Sequence, residues 1–184
     1  MGFPPRAFII GAQKAGTTFL SQLLAQHPHL ELAQPKEPAF FTRNWNEGLD
    51  WYRNCFSHPD VPVLLDATPS YTIAPVRSNG GREKVSGRFQ GVPGRIHGVV
   101  PDARFIYVLR DPVDRIHSAY WHMVRHGEEG KGLREAVESD RIYVDASRYL
   151  EQIEEFYRFF GPEQFLFLQF EELRTAPRET AGRC

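Results

Sequence analysis

The stretch from Ala7 to Leu24, AFIIGAQKAGTTFLSQLL, constrains the fold more than any other part of this chain. The apolar run Ala7–Ile10 ends at Gly11, the pattern of a buried strand entering a tight turn. From Thr17 onward Phe19, Leu20, Leu23 and Leu24 recur at helical spacing, until His27-Pro28 stops the run. Strand, glycine-bearing loop and helix together open a βαβ unit. A loop that feeds a helix N-terminus offers unpaired amides and the positive end of a dipole to an anion. Gly11 and Gly16 permit close backbone approach, and Thr17 and Thr18 add hydroxyl donors. The glycine spacing is that of the nucleotide-kinase loop G-x4-G-K-[ST], but Thr17 stands where that loop carries lysine, and the lysine comes earlier, at Lys14. A lysine inside the loop meets a bridging, leaving-group oxygen instead of reaching over a terminal phosphate. Taken alone, the stretch also fits a plain strand–helix turn.

Farther along, Val61–Asp66, Arg104–Leu109 and Gln164–Gln169 read as buried strands. Helices are predicted over Gly48–Phe56, from Asp111-Pro112 to about Arg125, over Leu133–Ser139 and over Ala146–Phe160. Asp111 is the N-cap and Pro112 the first helical residue. Residues 77–94 hold five glycines, several charges and little periodicity, and read as a flexible loop, disordered or folding over a ligand. Strands alternating with helices predict one α/β domain over residues 1–184, a three-layer, doubly wound parallel sheet flanked by helices. Its ligand site belongs beyond the strands' C-terminal ends, where Gly11–Thr18, Asp66–Tyr71 and Arg110–Asp111 fall.

Composition excludes several classes. A net charge of −1 gives no global basic field for nucleic acid or an anionic membrane, so anion binding must be local. Two cysteines, Cys55 and Cys184, are too few for a disulfide framework or a zinc site and fit a reducing, cytoplasmic setting. The N-terminal apolar run is too short for a signal peptide or a membrane helix. His122 and His126 lie one helical turn apart with His117 near, but no cysteine or carboxylate cluster completes a metal site.

A second constellation lies in RFIYVLRDPVDRIHSAY, residues 104–120. Arg110 ends a strand, and Ser118 lies about two turns into the next helix. An arginine fork with a hydroxyl is a clamp for a second, separate phosphate; an Arg110–Asp111 surface pair with an idle serine is the plainer reading. With FIIGAQKAGTT, KEPAFF, GLDWY, DATPSY and PDARFIYVLRDPVDRIHSAYWH in this order, the chain resembles the sulfotransferases that use 3′-phosphoadenosine 5′-phosphosulfate (PAPS). It is most similar to the branch of bacterial enzymes and glycan (heparan sulfate type) sulfotransferases, over about Phe8 to Pro177.

That resemblance implies a phosphate-loop-hydrolase-like fold and sulfuryl transfer to an acceptor hydroxyl or amine on a glycan or small molecule, without metal. Lys14, Ala15, Gly16, Thr17 and Thr18 would hold the 5′-phosphosulfate, with Lys14 neutralising the departing oxygen. Arg110 and Ser118 would hold the 3′-phosphate, and 3′,5′-adenosine diphosphate (PAP) would be the product. Glu37 matches the glycan branch's general base; without the resemblance it reads as a loop glutamate paired with Lys36. Asp66 is the second candidate base, or else a cap for the turn after it. The aromatics Trp45, Trp51, Tyr52 and Phe56 are predicted in the core and cleft wall.

Ala39 and Ala67 stand where that branch often has a substrate-engaging histidine and lysine, so a heparan-like acceptor is not expected. The family also continues past Pro177 with a helix and a basic, glycine-containing segment, whereas this chain stops at ETAGRC; part of the donor pocket is expected to be missing and donor binding to be weakened. Two other readings stay open: a phosphate-loop nucleotide kinase, with Val63–Asp66 as its magnesium strand end, and a binding remnant of the fold without catalysis.

Overall fold

The computed structural model describes residues 2–73 and 89–184. Strand β1 (Ala7–Gly11) runs into α1 (Thr17–Leu24), and β2 (Leu30–Leu32) follows. A 3-10 turn at Trp45–Glu47 leads to α2 (Gly48–Arg53), then β3 (Val63–Asp66) and a second 3-10 turn, Pro69–Thr72. Next come α3 (Val92–Val99), β4 (Arg104–Leu109), α4 (Pro112–Arg125), α5 (Leu133–Ser139), α6 (Ile142–Asp145) and α7 (Tyr149–Tyr157). Strand β5 (Phe165–Gln169) closes the sheet, and α8 (Phe170–Thr175) and α9 (Pro177–Ala181) end the chain.

The five strands lie in the order β2-β3-β1-β4-β5, and every pair is parallel. The first strand is therefore central, with β3 on one side and β4 on the other. Connections leave β1 toward both edges, which opens a crevice at its C-terminal end. Phe8, Ile9 and Ile10 are 0% exposed, because helices cover both faces of this strand. Leu20, Ile96 and Phe156 from α1, α3 and α7 share one buried cluster with Phe105, Tyr107 and Val108 of β4.

Four stretches depart from the predicted pattern. Strand β2 is too short to announce itself in LEL; pairing of Leu30 with Val63 and Leu32 with Leu65 makes it a strand. The predicted loop 77–94 ends early: 77–88 lie outside the described residues, and Val92 begins α3. Gly91 opens that helix at φ 70, a left-handed conformation suited to glycine, and Val92, Pro93 and Ile96 are buried. The predicted helix 146–160 begins late, as α7 at Tyr149. An unpredicted short helix, α6, ends at Asp145 just before the predicted start, with Arg115 beneath the gap between them. Arg115 is 1% exposed and donates from Nε to the Ser147 hydroxyl and from Nη2 to the Tyr143 carbonyl. A buried guanidinium must find acceptors, and the chain turns to supply them. Past β5, α8 and α9 carry Leu173 and Thr180 into the core where no helix was predicted.

The predicted cap of α4 is present: the Asp111 carboxylate accepts from the amides of Val113 at 2.9 Å and Asp114 at 3.0 Å. This fixes the direction in which α4 leaves the strand end and hence where Ser118 falls.

Candidate functional site

Beyond the ends of β1, β4 and β5 lies a cleft of about 540 Å³. Lys14, Gly16, Thr17, Thr18, Glu37, Arg110 and Ser118 all line it, so the structure brings together every predicted site residue except Ala15. Ala15 is 0% exposed and its amide donates to the Ala12 carbonyl at 3.1 Å, which turns it away from any ligand.

The loop is held open by close packing. A Cβ on Gly11 would sit 2.1 Å from Tyr107 Cε2 and 2.4 Å from Thr72 Oγ1, so only glycine lets the strand end pass. Lys14 and Gly16 take left-handed φ values of 70 and 82, which turn the backbone sharply into the start of α1. No acceptor among the described residues takes the amides of Gly16, Thr17 and Thr18. They form the N-terminal donor set of α1. Partial burial, then the charges of Arg125 and Arg110, hold the Lys14 ammonium below the usual lysine value, while Glu37 pulls the other way.

Arg110 closes the second half of the cleft. Its Nη1 donates to the Lys14 carbonyl at 2.8 Å, and its guanidinium lies 4.6 Å from the ring centre of Phe170. Its Nε is buried without a partner among the described residues. A buried, unpaired guanidinium N–H is costly unless a ligand completes it. Tyr149 donates its hydroxyl to the Arg110 carbonyl at 2.9 Å, fixing the backbone from the α7 side. Ser118 reaches the same cleft from α4. The Arg110–Asp111 surface pair does not form: the Asp111 carboxylate is engaged with its own helix.

The two candidate bases separate cleanly. Glu37 lines the cleft with its side chain 43% exposed, and Lys36 Nζ lies 2.8 Å from its Oε1. The lysine pair and the cleft position therefore occur together. Asp66 is 0% exposed. Tyr52 and Tyr71 donate to its Oδ2 at 2.7 and 2.8 Å, and Thr68 donates to its Oδ1 at 2.5 Å. Burial pushes its carboxyl up to about 6, against the pull of these three hydroxyls; the charge of Glu37 adds to the rise. Asp66 is fully buried beneath these hydroxyls and does not line the cleft. Its donors among the described residues are all side-chain hydroxyls, not turn amides, so it sits as a buried hub and not as a cap.

Reading the sequence alone missed Gln13, Phe19, Gln22, Pro69, His122 and Phe170 as cleft residues. His122 had a signal, since it follows Ser118 by one turn of α4. Burial first, then Lys14, His126 and Arg125, lower its imidazole from the usual histidine value, with Glu128 opposing. Phe170 had none, because its place depends on β5 ending beside β4. Trp45, Trp51, Tyr52 and Phe56 do not line the cleft; Tyr52 and Phe56 belong to the core. Among the described residues no group of three or more His, Cys, Asp or Glu could hold a metal ion, and no helix is long and apolar enough to cross a membrane.

Comparison with known proteins gives this arrangement its context. A family model described as "Sulfotransferase family" matches residues 5–184. Heparan sulfate glucosamine 3-O-sulfotransferase 6 of Mus musculus is 30% identical over 188 residues, covering 97% of this chain and 50% of the relative. Human heparan sulfate glucosamine 3-O-sulfotransferase 3B1 is 31% identical over 189 residues, covering 97% and 44%. This chain thus spans about half the length, or less, of these curated relatives. A solved sulfotransferase from Alicyclobacillus acidocaldarius superposes with a TM-score of 0.81 at 26% identity, over 98% of this chain and 79% of that one. The strand order, the phosphate-type loop and the match along nearly the whole sequence agree: the chain belongs to the sulfotransferase family.

Proposed function

We propose that this chain moves a sulfuryl group from PAPS to an acceptor hydroxyl or amine. The observation that carries this reading is one cleft with two separate anion holds: the free amides of Gly16, Thr17 and Thr18, and Arg110 with its buried, unpaired Nε beside Ser118. Two holds suit a nucleotide with phosphate at both the 5′ and 3′ positions. A nucleoside triphosphate would leave the Arg110 side unfilled.

In this reading the loop amides fix the 5′-phosphosulfate and Lys14 meets the oxygen that takes up negative charge as the S–O bond breaks. Its partial burial strengthens that interaction. Glu37 receives the proton of the acceptor as the new bond to sulfur forms. Lys36, 2.8 Å away, keeps the carboxylate oriented before substrate arrives. No metal has a part in these steps.

The kinase reading loses its support at Asp66, whose oxygens are filled by Tyr52, Tyr71 and Thr68. The acceptor belongs to the glycan or small-molecule class. The relatives' names support a glycan, but Ala39 and Ala67 are buried and bring no polar contact to the cleft. A cytoplasmic setting belongs to the same reading and is supported only by the free thiols of Cys55 and Cys184.

Calorimetric titration with 3′,5′-adenosine diphosphate against ATP tests the class. Preference for the 3′-phosphorylated nucleotide, lost in Arg110→Ala, is expected; equal binding of both nucleotides would sink it. Donor binding with no transfer to any hydroxyl or amine acceptor, and none to water, would move the chain to a binding role.

A further inference from the structure

The hydroxyls around Asp66 do more than satisfy a buried carboxylate. Thr68 and Tyr71 both donate to Asp66, so each turns an oxygen lone pair the other way. Those lone pairs face the chain just after Glu37. Thr68 Oγ1 accepts the Ala39 amide at 3.3 Å, and the Tyr71 hydroxyl oxygen accepts the Phe41 amide at 3.4 Å. Ala39 sits at φ 50, a left-handed conformation unfavourable for alanine, so the turn needs outside support. Asn44 supplies more from the far side by donating to the Pro38 carbonyl at 2.7 Å. The rings add packing: Phe40 stacks on Tyr52 at 4.2 Å, and Phe41 meets Tyr71 edge-on at 5.8 Å.

We propose that Asp66 is a positioning residue for Glu37, acting through Thr68 and Tyr71 on the Ala39 and Phe41 amides. The proposal deepens the reading of Glu37 as base and rests on it. An ionised Asp66 can only accept, which polarises two chains in one direction: amide to hydroxyl to carboxylate. The turn that carries Glu37 is thereby anchored to the end of β3, the strand next to the phosphate-loop strand. Tyr52 differs from its two partners, because its hydroxyl donates to Asp66 but holds no amide of the Glu37 turn. That asymmetry separates positioning from bulk stability.

The experiment compares Thr68→Val, Asp66→Asn and Tyr52→Phe with the wild type. Two readouts are followed: protection of the Ala39 and Phe41 amides from hydrogen exchange, and release of 3′,5′-adenosine diphosphate from PAPS with water as acceptor. In that reaction the sulfur–oxygen bond to the donor phosphate breaks, water forms the new one, and Glu37 takes the water proton. Thr68→Val and Asp66→Asn should lower kcat about tenfold with the donor KM within about twofold, the pattern of a misplaced reacting group. Exchange at Ala39 should speed up in both, and at Phe41 in Asp66→Asn. Tyr52→Phe should lower the melting temperature and leave kcat and both amides near wild type. Equal effects of Tyr52→Phe and Thr68→Val on rate and exchange would reduce Asp66 to a structural residue and overturn the proposal, as would unchanged exchange in Thr68→Val and Asp66→Asn. Should Glu37→Gln keep full turnover, the base assignment falls, yet exchange still decides whether Asp66 anchors the turn. If water proves too poor an acceptor to give a rate, exchange alone decides on the same criteria.

Discussion

The two ends of the cleft are built by different means. The donor end uses backbone amides and residues at fixed offsets from strand ends: Gly16 to Thr18 after β1, and Arg110 to Ser118 after β4. Its geometry follows from local chain direction, because a capped helix leaving a strand end has few options. The base end hangs Glu37 on a turn whose support comes from residues 29 and 30 positions away in sequence. A local device tolerates change elsewhere in the core; a long-range one does not. On the proposed roles, the contrast teaches that binding and chemistry can be damaged separately.

The sharpest test is Glu37→Gln, which keeps size and hydrogen-bonding reach while removing the proton acceptor. Sulfuryl transfer should fall by about 10²- to 10⁴-fold, the usual contribution of a general base. The Kd for 3′,5′-adenosine diphosphate should stay within a factor of about two. A parallel loss of nucleotide affinity would break the comparison, since the two ends would then be coupled.

A second test reads the cost of the long-range device. The Asp66 carboxyl is raised from 3.8 to about 6 in the folded chain, mainly by burial. Between those values the folded state holds a proton that the unfolded state has lost. Stability from this group is therefore full below about pH 4 and falls as pH rises to about 6, by roughly 3 kcal/mol for a shift of this size. Denaturant unfolding of the wild type against Asp66→Asn should show this difference between pH 4 and 7. A flat difference would mean that the three hydroxyls offset burial completely.

How far the sequence told this in advance follows the same division. The strand, loop and helix of residues 7–24, the Asp111 cap and the Arg110–Ser118 pair were legible because their information is local: spacing, glycine and a capping residue. Val92–Val99 was lost within a glycine-rich stretch, although Val92 and Ile96 carry helical spacing. Tertiary demand made the rest invisible. The break between α6 and α7 exists because Arg115 needs acceptors there, and Phe170 reaches the cleft only because β5 pairs with β4. Asp66 shows the limit most plainly. A carboxylate at a strand end looks catalytic in sequence, and only the fold shows it buried among three hydroxyls, away from the cleft lining.

The smallest expected effect tests the donor end, and it can be divided into two parts. Gly16 sits at φ 82, and a Cβ there would meet Phe170 Cδ2 at 3.0 Å and Cε2 at 3.1 Å. Gly16→Ala should cost about 1–2 kcal/mol of stability from the left-handed backbone alone. The contact with Phe170 adds to this only as far as the ring cannot shift. Phe170→Leu, which shortens the side chain, should recover the contact part in the double variant and leave the backbone part untouched. Since Phe170 also carries the Arg110 guanidinium on its face, Phe170→Leu alone should weaken binding of 3′,5′-adenosine diphosphate about two- to fivefold, the scale of one exposed cation–π contact. Base-end exchange at Ala39 and Phe41 should not change in any of the three variants. If it did, the donor end would reach into the Glu37 turn, and the two ends would be one device.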